Sequence, residues 1–383
     1  MRILHVTPYF NPAYVYGGPI VSIDHLCEEL HNIRQEVLVL TTNANGANSL
    51  DIKTGVPNTS NKGSVIYFKR KWIKSAFLAP RLLQHIYQHA QSYDVVHIHT
   101  WWNLTSIPAV LICFLKNIKP ILSPRGMLSP FSFGHRKSFF KTLFHRSIGR
   151  LLLAKTLLHA TSMQEADECR RLLPNWQYFT APNIIFFPDQ CNHQERQTDG
   201  SIRLLFLSRI HEKKGLELLL ESLATVTFSF ELCITGKGEG SYITQLKALA
   251  DHLDISQFIT WHPWVNEIEK FALLSAVDVM VLPSQNENFA NVVLESLSVG
   301  TPVLLTKQVG LSDYVESHNF GWVVEQEVSA LSNALICAYS ETEKRIHIRT
   351  TAPMQVRNDF APQRVVLEYV NAYESLIHKR KPA

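Results

Sequence analysis

Short apolar runs alternate with amphipathic stretches along most of the chain. Continuous runs rich in β-branched residues predict buried parallel strands, as in residues 2–7, 36–42, 94–100 and 202–207. Apolar residues that recur on one stripe predict helices, and the first such stripe consists of Ile20, Ile23, Leu26, Cys27 and Leu30. Strand and helix alternate in both halves of the chain, which predicts an α/β protein of two doubly wound, Rossmann-like domains.

The domain boundaries follow from the order of these elements. Residues 1–187 hold the first series of strands and helices, and the polar stretch 188–200 is typical of a linker. Residues 201–360 hold the second series, and a last helix is predicted over residues 367–378. A chain of 383 residues is long enough to bury two full cores.

One stretch near the C-terminal end, residues 277–303, combines a strand, a loop and a helix. Residues 277–282 predict a buried strand, and residues 291–299 predict a helix that stops at Gly300. The loop of residues 285–290 follows the carboxyl end of the strand, which is where open α/β sheets bind their ligands. We therefore look for a binding site in this loop.

Two carboxylates mark this stretch, Glu287 in the loop and Glu295 in the helix. The backbone amides of residues 289–291 begin the helix, and a helix N-terminus attracts phosphate. A nucleotide sugar presents a hexose, a diphosphate and a ribose in that order, which matches a carboxylate, an amide cluster and a second carboxylate. The alternative is an ordinary surface loop with two solvated glutamates.

The stretch resembles the donor-binding motif of the retaining glycosyltransferases of family 4, which have the GT-B fold. The residues that carry the resemblance are Pro283, Ser284, Glu287, Phe289, Glu295, Gly300, Pro302 and Val303. The chain departs from the family at Ala290, usually glycine, and at Ser296, usually alanine. The resemblance implies that Glu287 faces the donor sugar and that Glu295 binds the ribose. The loop residues completing this donor site are Asn288, Phe289, Ala290 and Asn291.

Two further landmarks agree with the family. Arg209 follows a predicted strand, and Lys214, which directly precedes Gly215, lies five residues after Arg209. The resemblance implies that Arg209 and Lys214 both contact the donor diphosphate. Two such cations stabilise the departing diphosphate without a metal, and the chain has no DxD motif, so neither a metal nor a cofactor is expected. Gly17 and Gly18 form a weaker signal, a Gly-Gly loop that in the family approaches the diphosphate across the cleft. Solvated cations in a loop are the alternative for the first pair.

The first domain offers two candidates for the acceptor side. His99 ends a predicted strand, from which it can reach the cleft, although a packed or hydrogen-bonded histidine is the alternative. Arg125 precedes Gly126 where family members carry an active-site His or Asp. An arginine cannot serve as a general base there, but it can hold an acceptor phosphate through its planar fork.

Charge is distributed unevenly along the chain. The net charge is +4, yet residues 52–164 contain 16 basic residues and a single acid, Asp94. Within this region, residues 131–150 interleave phenylalanines with arginines and lysines, a pattern typical of a segment that lies on an anionic membrane surface. The alternatives are an amphipathic helix packed on its own domain and a basic surface without a partner.

The first residues, the apolar runs and the cysteines together indicate where in the cell the protein is located. The first strand follows Met1 and Arg2 directly, so no signal peptide is expected. The longest apolar run, residues 104–115, is shorter than the ~20 residues that cross a bilayer. The six cysteines form no CxxC or Cys/His cluster, which argues against disulfides and zinc. We expect a cytoplasmic protein, peripheral on the inner face of the cytoplasmic membrane.

The resemblance covers nearly the whole chain and implies two domains facing a central cleft, with residues 361–383 returning to the first. It implies a hexosyltransferase that moves a hexose with retention from a nucleoside-diphosphate sugar to a glycan acceptor. The basic surface favours an acceptor linked to undecaprenyl diphosphate, in capsule, O-antigen or exopolysaccharide biosynthesis, and nucleic acid is not an expected partner. The alternatives are a non-catalytic, membrane-recruited sugar-nucleotide-binding subunit and a sugar-nucleotide epimerase on the same fold.

Overall fold

The computed structural model describes residues 1–60, 63–71, 76–133, 138–188 and 200–378. The chain divides into two compact units: unit 1 comprises Met1–Ile185 and Pro362–Ala383, and unit 2 comprises Phe186–Ala361. The divisions thus fall after residues 185 and 361, where the sequence places the domain ends at 187 and 360. Residues 189–199 of the predicted linker lie outside the described residues.

The strands and helices alternate along both units. The strands are β1 (Arg2–Val6), β2 (Glu36–Thr42), β3 (Ala44–Asn45), β4 (Asn48–Ser49), β5 (Pro57–Ser60), β6 (Gly63–Phe68), β7 (Val95–His99), β8 (Ile121–Ser123), β9 (Leu157–Ala160), β10 (Tyr178–Thr180), β11 (Ile202–Leu207), β12 (Phe230–Thr235), β13 (Ile259–His262), β14 (Val279–Leu282), β15 (Val303–Thr306) and β16 (Gly321–Val324). The helices are α1 (Gly18–Asn32), α2 (Pro80–His89), α3 (Ser106–Leu115), α4 (Pro130–Phe133), α5 (Ser138–Phe144), α6 (Arg150–Ala154), α7 (Met163–Leu172), α8 (Leu216–Leu223), α9 (Gly240–His252), α10 (Glu267–Ala276), α11 (Asn291–Ser298), α12 (Ser312–Ser317), α13 (Val328–Ser340), α14 (Thr342–Asp359) and α15 (Pro362–His378).

Unit 1 is built on one sheet with the strand order β10-β9-β8-β7-β1-β2-β6-β5. The strands run parallel except for β5, which pairs antiparallel with β6 at the edge. The central strands are buried on both faces: every residue of β7 and every residue of β1 after Arg2 is buried, including their histidines. From β1 the chain adds strands on one side of the sheet, and from β7 it adds them on the other side. The carboxyl ends of these two neighbouring strands therefore form the topological switch point of unit 1.

Unit 2 is built on a wholly parallel sheet with the strand order β13-β12-β11-β14-β15-β16. Its core strand β14 is buried at every position, as the apolar run in this part of the sequence predicts. From β11 the chain adds strands on one side of the sheet, and from β14 it adds them on the other side. The switch point of unit 2 therefore lies at the carboxyl ends of β11 and β14.

Several elements differ from the sequence-based prediction. Helix α14 is absent from the prediction because Pro353 lies inside it, although Ile348, Ala352 and Val356 form its buried stripe. The segment 131–150 is divided among α4, α5, a π-helical turn at His145–Gly149 and the start of α6, and residues 134–137 lie outside the described part. Within the described residues, no helix has both the length and the apolar character that crossing a bilayer requires.

Candidate functional site

The switch point of unit 2 brings two loops together, one after β11 and one after β14. The backbone N–H of Gln285 donates to the carbonyl of Lys213 at 2.8 Å. Gly215 has a left-handed φ of 70°, and a Cβ at this position would lie 2.1 Å from the carbonyl oxygen of Pro283. Only glycine fits here, so the glycine after Lys214 serves the close approach of the two loops.

Lys214 and Glu287 form an ion pair where these loops meet. Lys214 is buried in a short 3₁₀ turn, and its Nζ donates to Oε2 of Glu287, whose side chain is 20% exposed. The backbone of Glu287 is anchored as well, because its N–H donates to Gln308 O at 2.9 Å and its carbonyl accepts from Gly310 N–H at 2.8 Å. The loop therefore holds the carboxylate in one place.

Glu287 is held as an anion. Burial by itself would raise the pKa of its carboxyl, but the charges of Lys214, Lys213 and Arg209 and the hydrogen bond from Lys214 outweigh burial, so the pKa lies below its ordinary value. Arg209 is exposed and close enough to influence this carboxylate. The structure thus brings together the three residues predicted as catalytic: Arg209, Lys214 and Glu287.

The rest of the predicted donor loop leads into α11. Phe289 is buried and meets the ring of Phe360 edge-on at 6.3 Å, whereas Asn288 and Asn291 are half-buried. Ala290 is the residue before the helix and has a left-handed φ of 68°, a conformation that glycine adopts without cost. This conformation explains why the related motif usually has glycine at the position of Ala290.

Glu295 has a cationic partner that sequence reasoning missed. Its Oε1 accepts from Lys270 Nζ at 2.8 Å, and the two side chains are 12% and 21% exposed. Lys270 lies on α10, a helix absent from the sequence-based prediction. The sequence marks the start of that helix with a capping box formed by Asn266 and Glu269.

Buried polar atoms near this switch point that lack a hydrogen-bond partner among the described residues include Ser284 Oγ and Gln308 Oε1. Ser284 lies two residues after the end of β14, and the backbone carbonyl of Gln308 accepts from the backbone N–H of Glu287. Buried polar groups in folded proteins are nearly always paired, so unpaired ones beside an ion pair favour a ligand-binding role for these loops.

The switch point of unit 1 holds a buried network of histidines. His5 on β1 lies opposite His97 on β7 in register, and its Nδ1 is 2.9 Å from Nε2 of His99. His97 contacts Tyr373 OH at 2.8 Å through Nδ1 and Ser123 Oγ at 2.6 Å through Nε2. Sequence reasoning identified His99 but not His5, which the register of β1 and β7 places beside His97.

The network continues to the edge of the sheet with a single consistent set of donors. Ser123 Oγ contacts Nδ1 of His159 at 2.5 Å, and Nε2 of His159 contacts the carbonyl of Ala181 at 2.9 Å. Because that carbonyl only accepts, His159 donates to it, Ser123 donates to His159, His97 donates to Ser123, and Tyr373 donates to His97. This set of donors applies when the rings of His97 and His159 are both neutral.

Charge and burial keep the histidines neutral. Burial, followed by the charge of Arg125, lowers the pKa of His5 to about 3, and the same two causes lower the pKa of His159 to about 3. Burial also lowers the pKa of His97 and of His99 well below the ordinary value. These rings do not carry positive charge at neutral pH.

Three of these rings also form the group most able to hold a metal ion in the described part of the chain. The candidate ligand atoms of His5, His97 and His99 lie within 4.8 Å of one another. Both ring nitrogens of His97 are already hydrogen-bonded, to Tyr373 and to Ser123. A metal would have to displace one of these bonds, so the residues fit a hydrogen-bonded network better than a metal centre.

The remaining predicted residues of unit 1 lie in two loops. Gly17 and Gly18 follow β1: Gly17 has a φ of 81°, and Gly18 begins α1 with open space where a Cβ would lie. Arg125 follows β8, and its Nη1 donates to Oδ1 of Asn183. Unit 1 therefore presents a glycine loop and an arginine at the carboxyl edge of its sheet.

Two family models match the chain in succession. "Glycosyl transferase 4-like domain" matches residues 17–183, and "Glycosyl transferases group 1" matches residues 190–354. Together they cover most of the sequence, and each includes the loops described above for its own unit.

Among the relatives, the D-inositol 3-phosphate glycosyltransferase of Corynebacterium urealyticum is 27% identical over 316 residues, which cover 76% of this chain and 73% of the relative. The putative colanic acid biosynthesis glycosyltransferase WcaL of Escherichia coli is 25% identical over 189 residues, 46% of this chain and 45% of WcaL. The lipopolysaccharide core biosynthesis glycosyltransferase LpsE of Rhizobium meliloti is 32% identical over 122 residues, 32% of this chain and 34% of LpsE. The last two alignments span less than half of each relative.

Solved structures share the fold of this chain. Sucrose-phosphate synthase from Thermosynechococcus elongatus superposes with a TM-score of 0.77 at 18% identity, covering 99% of this chain and 100% of that one. Anabaena HepE in complex with UDP and glucose superposes with a TM-score of 0.76 at 18% identity, covering 98% and 100%. With both units matched by glycosyltransferase models and with this fold, the chain belongs to the family 4-type glycosyltransferases of the GT-B fold.

Proposed function

We propose that this enzyme moves a hexose, with retention of configuration, from a nucleoside-diphosphate sugar to a lipid-linked glycan acceptor in cell-surface polysaccharide biosynthesis. The observation that carries the proposal is the Lys214–Glu287 pair at the switch point of unit 2, beside Arg209. The HepE complexes with UDP and with UDP-glucose support the donor class. The printed names of WcaL and LpsE support a glycan of the cell surface.

Each residue of the unit 2 site has a role in this proposal. Arg209 and Lys214 stabilise the negative charge that develops on the departing diphosphate, which is the usual function of fixed cations in such sites. Glu287 accepts hydrogen bonds from the donor sugar, and Glu295 accepts them from the ribose. The departing diphosphate oxygen takes the proton of the acceptor hydroxyl on the same face, so the anomeric configuration is retained without a metal.

An exposed apolar and basic surface on unit 1 supports a lipid-linked acceptor. We call it the α3–α6 surface, and its exposed apolar side chains are Leu111, Phe114, Leu115, Phe139, Leu143, Ile148 and Leu151. Arg146 and Arg150 are exposed among them. Apolar side chains that enter the interface and cations that meet anionic headgroups are the features of proteins that lie on a membrane, here the inner face of the cytoplasmic membrane.

The test of the donor site is a screen of UDP-, GDP-, dTDP- and ADP-sugars in the presence of a chelator, with binding read by thermal shift and turnover by donor hydrolysis. Glu287→Gln is preferred to Glu287→Ala because it keeps the shape beside the buried Lys214. We expect a donor that raises the Tm of the wild type, and turnover lowered by about 10²–10³-fold in Glu287→Gln, as for the loss of one charge-stabilising contact.

The matched control is Glu325→Gln, because Glu325 forms an exposed ion pair with Lys307 at 2.6 Å in the same unit. This variant is expected to turn over the donor like the wild type. Stabilisation by a donor without turnover would favour a non-catalytic binding subunit. A product of inverted anomeric configuration, observed by NMR, would refute the retaining mechanism.

A further inference from the structure

Arg125 occupies an unusual backbone position after β8. Its φ is 56° and that of Gly126 is 73°, so a residue with a Cβ stands in the left-handed region. The turn is held by Glu165, whose Oε1 accepts from the backbone N–H of Gly126 at 2.8 Å. A long cationic side chain is thus projected from a fixed turn at the carboxyl edge of the unit 1 sheet.

One edge of the Arg125 guanidinium has no partner among the described residues. Nη1 donates to Asn183, whereas Nε and Nη2 are buried and form no hydrogen bond there. Nε and Nη2 share one edge of the planar group, and their two parallel N–H bonds match the two oxygens of a carboxylate or a phosphate. A buried donor pair of this kind needs an acceptor.

The carboxylate that could neutralise Arg125 is engaged elsewhere. Glu165 is buried, and its two oxygens accept from the N–H of Gly126, the N–H of Thr161 and the hydroxyl of Thr161. Arg125 forms no ion pair in the described part of the chain, and Asp94 is the single acid within residues 52–164. The charge of Arg125 is therefore available for a ligand.

The adjacent His5–His99 pair supplies one more donor in either tautomer. Two neutral imidazoles carry two N–H groups, and the bond between His5 Nδ1 and His99 Nε2 uses one of them. The second must lie on His5 Nε2 or on His99 Nδ1, both of which are buried without a partner in the described residues. One N–H donor and one acceptor therefore remain at this edge of the sheet, within reach of the electrostatic influence of Arg125.

We propose that Arg125 binds an anionic group of the acceptor, a phosphate or a carboxylate, side-on through Nε and Nη2, and that the His5–His99 pair adds an N–H donor. The identification of the ligand as the acceptor rests on the proposed function, whereas anion binding does not. The residues of this proposed anion site, Arg125, His5 and His99, all belong to unit 1.

The experiment is a titration of the full-length protein, saturated with UDP, with inorganic phosphate, methyl phosphate and acetate. The readout is the ¹⁵N NMR signal of the His5 and His99 rings, assigned with His5→Gln and His99→Gln. We expect phosphate or acetate to shift these signals, and the stronger of the two probes identifies the anion as a phosphate or a carboxylate. Arg125→Gln should weaken binding at least tenfold.

Two further variants make the result specific. Arg125→Lys keeps the charge but lacks the two-pronged edge, so we expect it to weaken binding at least fivefold and to serve if Arg125→Gln does not fold. Arg81→Gln, at an exposed arginine of the same unit, should bind like the wild type. Equal affinity in the wild type and in both Arg125 variants would overturn the proposal, and so would competition between UDP and phosphate for these signals. Because the titration requires no sugar transfer, its failure is distinguishable from failure of the donor screen.

Discussion

Residues with a left-handed backbone lie at the carboxyl ends of the strands that define both candidate sites. Thr100 follows β7 with a φ of 65°, Arg125 follows β8 with a φ of 56°, and Ala290 precedes α11 with a φ of 68°. Such residues cost of order 1–3 kcal/mol each and persist where the surrounding structure holds them. Their positions at the candidate sites favour a role in shaping these sites.

At the residue scale, Ala290→Gly is expected to stabilise unit 2 by up to about 1 kcal/mol, because glycine adopts the left-handed φ without a steric penalty. The measurement is the free energy of unfolding in urea. Ala330→Gly is the control, since Ala330 lies inside α13, where glycine costs about 0.5–1 kcal/mol. Destabilisation of both variants by the same amount would contradict the assigned strain at Ala290.

The sequence singled out Lys214, Glu287 and Glu295 but neither the pairing of Lys214 with Glu287 nor Lys270, the partner of Glu295. Glu287 and Glu295 follow from a local spacing within one strand–loop–helix unit, which a sequence pattern contains in full. The partner of Glu295 is 25 residues upstream on a different helix, and the partner of Glu287 is 73 residues upstream. Pairings at such separations depend on the order of strands in the sheet. The catalytic and donor-binding roles of these residues stay predictions until the donor screen is made.

At the scale of elements, the last helix, α15, contributes two tyrosines to the core of unit 1. Tyr369 and Tyr373 are fully buried, and the hydroxyl of Tyr369 donates to the carbonyl of Pro182 at 3.0 Å. The hydroxyl of Tyr373 donates to His97 at 2.8 Å. The helix is thereby joined to the histidine network beneath the candidate acceptor site.

Tyr373→Phe is expected to lower the free energy of unfolding by about 1–3 kcal/mol, because it leaves His97 Nδ1 buried without a donor. The measurement is urea denaturation of the full chain. Tyr339→Phe is the control, since Tyr339 is exposed and its hydroxyl donates to Gly200 O at a long 3.3 Å. A loss below about 0.5 kcal/mol in both variants would show that the network does not stabilise the helix.

The α3–α6 surface makes a second prediction at this scale. Phe139 and Leu151 are each 70% exposed, so Phe139→Ser with Leu151→Ser should weaken co-sedimentation with anionic vesicles at least fivefold. The cause is the loss of about 25 cal/mol per Å² of apolar area that enters the interface.

The control for membrane binding is Ile268→Ser in unit 2. Ile268 is 85% exposed but lies between Glu267 and Glu269, whose charges oppose an anionic surface. This variant should bind vesicles like the wild type. Binding of the wild type that is equal on neutral and anionic vesicles, or absent at low salt, would refute the role of the cations.

At the scale of the whole molecule, the two units differ in their buried titratable groups. The histidines that are buried in the described residues, His5, His97, His99, His145 and His159, all belong to unit 1. Burial is the largest cause that lowers the pKa of each of them. Below pH ~6.5 the unfolded chain binds protons that the folded unit excludes, so the stability of unit 1 falls as the pH decreases.

We therefore expect acidification from pH 7 to pH 5 to destabilise unit 1 more than unit 2, by up to about 1.4 kcal/mol per pH unit for each fully titrating ring. Glu29, Glu165 and Glu368 of unit 1, whose pKa values are raised by burial, oppose this trend. Hydrogen exchange, corrected for intrinsic rates, measures each unit separately. Equal loss of protection in β1 and β11 would contradict the expectation.

The local pattern of apolar and polar residues is sufficient to establish the fold class and its division into two strand–helix series, because periodicity is a local property of the chain. It also determined the family, through motifs whose residues lie within single strand–loop–helix units. Helix α14 was absent from the sequence-based prediction because Pro353 breaks the local helical pattern, whereas packing of its buried residues keeps the helix intact in the structure.

The contacts between distant groups, in contrast, depend on the tertiary structure. The pairing of Lys214 with Glu287, of Lys270 with Glu295 and of His5 with His99 depends on which strands become neighbours in the sheets. The open edge of Arg125 is likewise a tertiary property, since it exists because Glu165 is engaged by three other donors. Such contacts join residues far apart in the chain, and their energies depend on burial, which no local pattern contains.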